Sequence, residues 1–185
     1  VRIGIIAEDE KNLEVSQVII RRKFPRYKMG ADPINIQDTR KCKLSKPDHI
    51  KSHLDAMAPR HLDKVLIGFN SDSPHWQKKE EAVQKAVCQS GYRGLVKVCA
   101  SVKEVEAWLL SDGQGMTNSL GIQCQGERNP EALNDAKGNF KDFANRADRT
   151  PDRTLYKEVA ENLDIDLVSR RCPSLLRFLE KAEDC

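Results

Sequence analysis

The sequence has no apolar run near the roughly 18 residues that a membrane helix needs, so no transmembrane span is expected. It has no G-x-x-x-x-G-K-[ST] loop and no G-x-G-x-x-G turn, so nucleotide binding through those two phosphate cradles is not indicated. It has no internal repeat and no low-complexity tract. None of its six cysteines, at 42, 88, 99, 124, 172 and 185, forms a C-x-x-C pair. The chain starts on a strand-like pattern with no charged leader ahead of an apolar stretch. Wide cysteine spacing and no leader together predict reduced thiols in a cytoplasmic protein.

What is present fits one domain. A hydrophobic fraction of 39% over 185 residues permits a core of ordinary size. The net charge of +3 hides an uneven distribution. Between Arg21 and Lys64 there are twelve Lys/Arg against five Asp/Glu. Such a basic field suits an anionic polymer, with Arg40, Lys41 and Lys43 as candidate backbone contacts. Basic helix ends that complement the macrodipole explain the same pattern without a ligand.

Three short apolar runs read as buried parallel strands: Val1 to Ala7, Lys64 to Phe69 and Leu95 to Ala100. Ile34-Asn35-Ile36 is a weaker one. Helical periodicity follows each of the three strong strands. The first helix should end near Phe24-Pro25, because the residue before proline avoids the α region. Pro47 should open a helix through about Ala58, and His75 to Gly91 should form another. Ser101 is placed to cap a helix from Val102 to Leu110. Asp112 to Asn129 is rich in glycine and reads as an irregular exposed loop. From Asn134 onward the chain reads as helical, with one helix ending at Cys172 and the next starting at Pro173 or Ser174. The expected fold is α/β, a parallel sheet flanked by helices (1–112) with a helical C-terminal elaboration (113–185), forming one domain overall.

Two strand ends carry polar clusters. Glu8, Asp9 and Glu10 follow the first strand, and Asn70-Ser71-Asp72 follows the second. The carboxyl ends of parallel strands form the rim where α/β proteins bind ligands. Oxygen ligands of this kind suit Mg²⁺ or Mn²⁺. Of the three acids, Glu8 sits where the strand ends, whereas Asp9 and Glu10 also fit a first helical turn. Asn70, Ser71, Asp72 and Pro74 equally suit a plain turn. Glu106 is embedded in the apolar stretch Val105 to Leu110, an unusual place for a carboxylate. It joins Glu8, Asn70 and Asp72 as a candidate ligand, with a salt bridge as the alternative. A separate candidate is a zinc site from Cys42, His49 and His53, set against a plain solvated helix face.

These segments resemble the Toprim fold family. Ala7-Glu8-Asp9 looks like the family's glutamate motif after the first strand. Asn70-Ser71-Asp72 looks like its D-x-D motif, with Asn70 in the place of the first aspartate. Val105-Glu106-Ala107-Trp108-Leu109-Leu110-Ser111-Asp112 is similar to the E-A-W-L-L-x-D signature of a group of small bacterial Toprim-like proteins. The tail, from Tyr156-Lys157 to Arg171-Cys172-Pro173-Ser174, is similar to that group's C-terminal pattern. The resemblance implies Mg²⁺-dependent attack on nucleic-acid phosphodiesters, with Glu8, Asp72 and Glu106 catalytic. It also implies an ATPase partner and a setting in anti-phage defence. Asn70, and Asn12 where relatives have a second acid, depart from the pattern. They leave a binding-only adaptor as the alternative.

Overall fold

The computed structural model describes residues 1–29, 34–35, 45–57, 61–71, 75–92 and 94–183, with backbone alone at 34–35. Their centre is a parallel sheet. Strand β1 (Arg2–Ala7) pairs on one side with the short strands β2 (Lys28–Met29) and β3 (Ile34–Asn35). On the other side it pairs with β4 (Lys64–Ser71), and β4 pairs in turn with β5 (Val96–Val102). Each expected strand is therefore present, and β2 is an addition.

Side chains alternate between the two faces, as the pleat requires. Ile3, Ile5, Ala7, Leu66 and Cys99 enter one core, with helix α1 (Glu10–Lys23) and the C-terminal helices. Ile6, Val65, Ile67, Phe69, Val96, Val98 and Ala100 enter a second core, under α2 (Pro47–Met57) and α3 (Trp76–Gln89). Both faces are covered, which explains why the strands read as continuous apolar runs rather than alternating ones. Gly4 faces Met57 of α2 and Leu62. A Cβ there would meet Met57 Cε at 2.6 Å and Leu62 Cδ1 at 2.7 Å.

The local signals behave as their chemistry dictates in most places. Asp9 caps α1, its carboxylate accepting the Asn12 N–H at 2.8 Å. Phe24 ends the helix ahead of Pro25. Arg21, Arg22 and Lys23 occupy the last turn. Two of these cations are used within the fold. Arg22 donates to the Ala160 carbonyl at 2.8 Å, and Lys23 pairs with Asp166 at 2.7 Å.

Two expectations need correction. Ser101 caps no helix. It is still in β5, paired with Asn70, and Val102 is paired with Ser71. The chain turns at Lys103, whose φ is 66°, and α4 (Val105–Leu110) starts after Glu104. Pairing with β4 thus extends the strand past the point where local capping chemistry suggested a helix. The stretch from Asp112 is not a loop throughout either. Residues Gly113–Leu120 form helix α5. Asp112 caps it by accepting the N–H groups of Gln114 and Gly115, and Gly121 ends it at φ 70°. The glycines serve close packing: a Cβ on Gly113 would meet the Gly126 nitrogen at 2.3 Å.

The C-terminal part continues through α6 (Ala136–Arg146), α7 (Arg153–Asn162), α8 (Ile165–Arg171) and α9 (Pro173–Glu183). Asp135, Asp152 and Asp164 each cap one of these helices through a side-chain bond to a backbone N–H. As expected, α8 ends at Cys172 and α9 starts at Pro173. Trp108, Phe140, Tyr156 and Phe178 fill the space between these helices and the sheet. The last helix is tied to the sheet by a buried lysine. Lys64 Nζ, at the start of β4, donates to the Ala182 carbonyl at 2.9 Å and the Lys181 carbonyl at 3.3 Å. Among the described residues, no helix is long and apolar enough to cross a membrane.

Candidate functional site

The connections leave β1 in opposite directions. The chain first goes to β2 and β3 on one side, then crosses to β4 on the other. In open parallel sheets a crevice opens at such a reversal, outside the carboxyl ends of the two strands. Here the crevice lies between the ends of β1 and β4. Glu8 follows directly on β1, and Asn70 is the penultimate residue of β4.

The structure joins these two residues. Glu8 Oε2 accepts the backbone N–H of Asn70 at 2.9 Å. The Asn70 carbonyl accepts from Lys79 Nζ, also at 2.9 Å. Lys79 rises from the first turn of α3 and lies 5.3 Å from the centre of the Phe69 ring. A carboxylate and an ammonium therefore flank one strand residue at the rim. Asn70 Oδ1 and Ser71 Oγ are buried there and have no hydrogen-bond partner among the described residues. Buried oxygens are rarely left so.

Glu8, Asp9 and Glu10 also line one wall of a groove of about 630 Å³. Lys11, Lys137, Pro151, Asp152 and Arg153 complete it. Its cations are already engaged. Arg153 pairs with Glu14 at 2.7 Å, Lys137 with Glu104 at 3.9 Å, and Lys11 donates to the Pro151 carbonyl at 2.6 Å. Asp9 is committed to its cap, which separates it in role from Glu8.

Glu106 takes a different course. It is buried in α4, and its Oε1 accepts a 2.5 Å hydrogen bond from the Tyr156 hydroxyl of α7. Lys11 Nζ lies 4.8 Å from the Tyr156 ring centre, so this pair sits beneath the groove wall. Burial pushes the Tyr156 phenol far above its usual value, and the Glu106 carboxylate beside it pushes the same way. Tyr156 is thus a proton donor held neutral. The alternative expected for Glu106, a salt bridge, is replaced by a bond to a phenol.

Among the described residues, no group of three His, Cys, Asp or Glu is placed to hold a metal ion. Asp72, Arg40, Lys41, Lys43 and Cys42 lie outside the described residues. The residues joined at the rim carry oxygen donors of the type a hard cation takes. The Glu8 carboxylate is joined to Asn70, whose side-chain oxygen is buried with no donor assigned to it. Mg²⁺ is satisfied by one or two carboxylates and several waters.

The chain matches no protein family, no curated protein and no solved structure.

Two groups at the candidate site are not marked by the sequence. Lys79 is one lysine among several in a charged helix, and nothing in its spacing marks it. Strand pairing and helix position alone bring it to Asn70. Tyr156 is visible as half of the Tyr156-Lys157 pair, but its partner is fifty residues away. Its neighbour Lys157 is exposed and lies 3.8 Å from Glu161.

Proposed function

We propose that this chain is a Mg²⁺-dependent nuclease of Toprim type, acting on nucleic-acid phosphodiesters. The observation that carries the reading is the hydrogen bond between Glu8 and Asn70 at the crevice between β1 and β4. It puts a carboxylate and a buried, unpartnered amide oxygen at the place where parallel sheets bind ligands. Asp72, two residues beyond Asn70, supplies the second carboxylate that the reading requires. Mg²⁺, or Mn²⁺ in its place, supplies charge to a phosphodiester oxygen and acidity to a bound water. Glu8 binds the ion or takes a proton. Lys79 offers a positive charge to the substrate phosphate from the same rim. Glu106 acts at one remove, through Tyr156. The basic stretch with Arg40, Lys41 and Lys43 would give salt-sensitive affinity with little dependence on sequence. An ATPase partner in anti-phage defence belongs to the same reading.

The binding-only alternative also has an observation behind it. With Glu106 paired to Tyr156 and Asn70 in place of an acid, the rim has few carboxylates for an ion. A cleavage assay decides between the two. Wild type, Glu8→Gln and Asp72→Asn are incubated with DNA and with RNA in Mg²⁺ or Mn²⁺. The nuclease reading expects each variant to lose about 10²-fold or more in rate. Equal rates in all three overturn it. Binding without cleavage under either metal establishes the adaptor.

A further inference from the structure

The helix α2 carries His49 and His53, four residues apart and therefore on one face. Their rings meet edge to face, with centres 4.8 Å apart. In both, Nε2 is buried and has no hydrogen-bond partner among the described residues. That is uncommon for one imidazole nitrogen and more so for two neighbours. A buried ring nitrogen normally finds a donor, an acceptor or a water, because desolvation without a partner is unfavourable. Core packing does not account for the pair. The apolar face of α2 is formed by Ile50, Leu54 and Met57, and both histidines are only half-buried beside it.

Neutral imidazoles with unengaged Nε2 atoms are the standard nitrogen ligands of zinc and its neighbours in the transition series. Two histidines one helical turn apart are the minimal helical chelate, since that spacing brings both rings to one ion.

We propose that His49 and His53 form a binding site for a divalent transition metal of the zinc type, separate from the oxygen-lined rim at Glu8. The two Nε2 atoms are its protein ligands among the described residues, and water fills the positions they leave open. The bound ion satisfies both orphaned nitrogens at once and clips one turn of α2. The donor set separates it from the rim. Imidazole nitrogen suits Zn²⁺, Ni²⁺ or Cu²⁺, whereas Mg²⁺ prefers oxygen. Occupancy here therefore does not depend on the nuclease reading.

The test uses the full chain, stripped of metal with a chelator and titrated with Zn²⁺ by calorimetry. One equivalent should bind in the micromolar range, with millimolar Mg²⁺ failing to compete. His49→Gln and His53→Gln should each weaken binding about tenfold or more, because each removes a ligand. Glu8→Gln should leave it unchanged. Zn²⁺ should raise the Tm of the wild type and not that of the histidine variants. A second measurement needs no variant. Two-bond ¹H–¹⁵N spectra of the wild type should show Zn²⁺ shifting the Nε2 signals of His49 and His53, while those of His61 and His75 stay in place. Absence of Zn²⁺ binding overturns the proposal. So does equal binding by the wild type and both histidine variants, or a shift confined to His61 and His75.

Discussion

The sheet half and the helical half of this chain treat their polar groups differently. In the helical half, Asp112, Asp135, Asp152 and Asp164 each cap a helix, and the buried Trp108 nitrogen donates to Ser174 Oγ at 2.8 Å. Ser174 in turn is bonded to Glu131 at 2.5 Å. In the sheet half, Asn12, His49, His53, Asn70 and Ser71 all have buried polar atoms without partners among the described residues. Among the described residues, the helical half contributes only Arg177 to the same set. Buried polar groups are almost always paired in a native structure, so a concentration of exceptions has meaning. One half is built to be self-sufficient. In the other, the unpartnered groups among the described residues lie at the rim, on α2 and, for Asn12, in α1.

Mutations break or sharpen that contrast. The largest effect is expected in the helical half. Trp108→Ala removes a fully buried ring and leaves Ser174 without its donor, at a cost of about 3–5 kcal/mol in urea unfolding. A loss under 1 kcal/mol would mean that this half is less tightly built than its geometry implies.

Tyr156→Phe comes next. It keeps the ring but strands the Glu106 carboxylate, which should cost about 1–3 kcal/mol. The same residue has a pH signature. Its phenol is pushed up in the fold, so the folded state keeps a proton that the unfolded chain releases above about pH 10. Stability should fall as pH rises through that range, because the native state then binds more protons. Tyr156→Phe should flatten this part of the profile.

Asp112→Ala should cost about 1–2 kcal/mol. Its carboxylate serves the start of α5 and also accepts the Asp164 N–H, at 2.7 Å, where α8 starts. Ser71→Ala should have the smallest effect, within about 0.5 kcal/mol of the wild type or stabilising, since the hydroxyl it removes has no partner among the described residues. If Ser71→Ala proved as costly as Asp112→Ala, the contrast between the halves would fail.

The sequence revealed the architecture where local and global preferences agree. Three apolar runs gave the main strands, Pro25 gave the end of α1, and Pro173 gave the start of α9. It misled where pairing across the sheet prevails over local chemistry. Ser101 has good cap spacing, yet its place opposite Asn70 keeps it in a strand. The helix after Asp112 was hidden because its glycines signal loops, whereas here they allow backbones to touch. At the site, Glu8 and Asn70 were legible because strand ends are readable from apolar runs. Lys79 and the Glu106–Tyr156 pair were not, since each contact joins separate elements in three dimensions.

The lysine at the start of β4 sets how the molecule opens. If α9 frayed alone, the Lys64 ammonium would lose the Ala182 and Lys181 carbonyls while still lodged against the sheet. That penalty opposes fraying of α9 on its own and couples its end to the central strands. Their amides should exchange with solvent in a single step, and the end of the last helix should be protected nearly as well as the middle of the sheet.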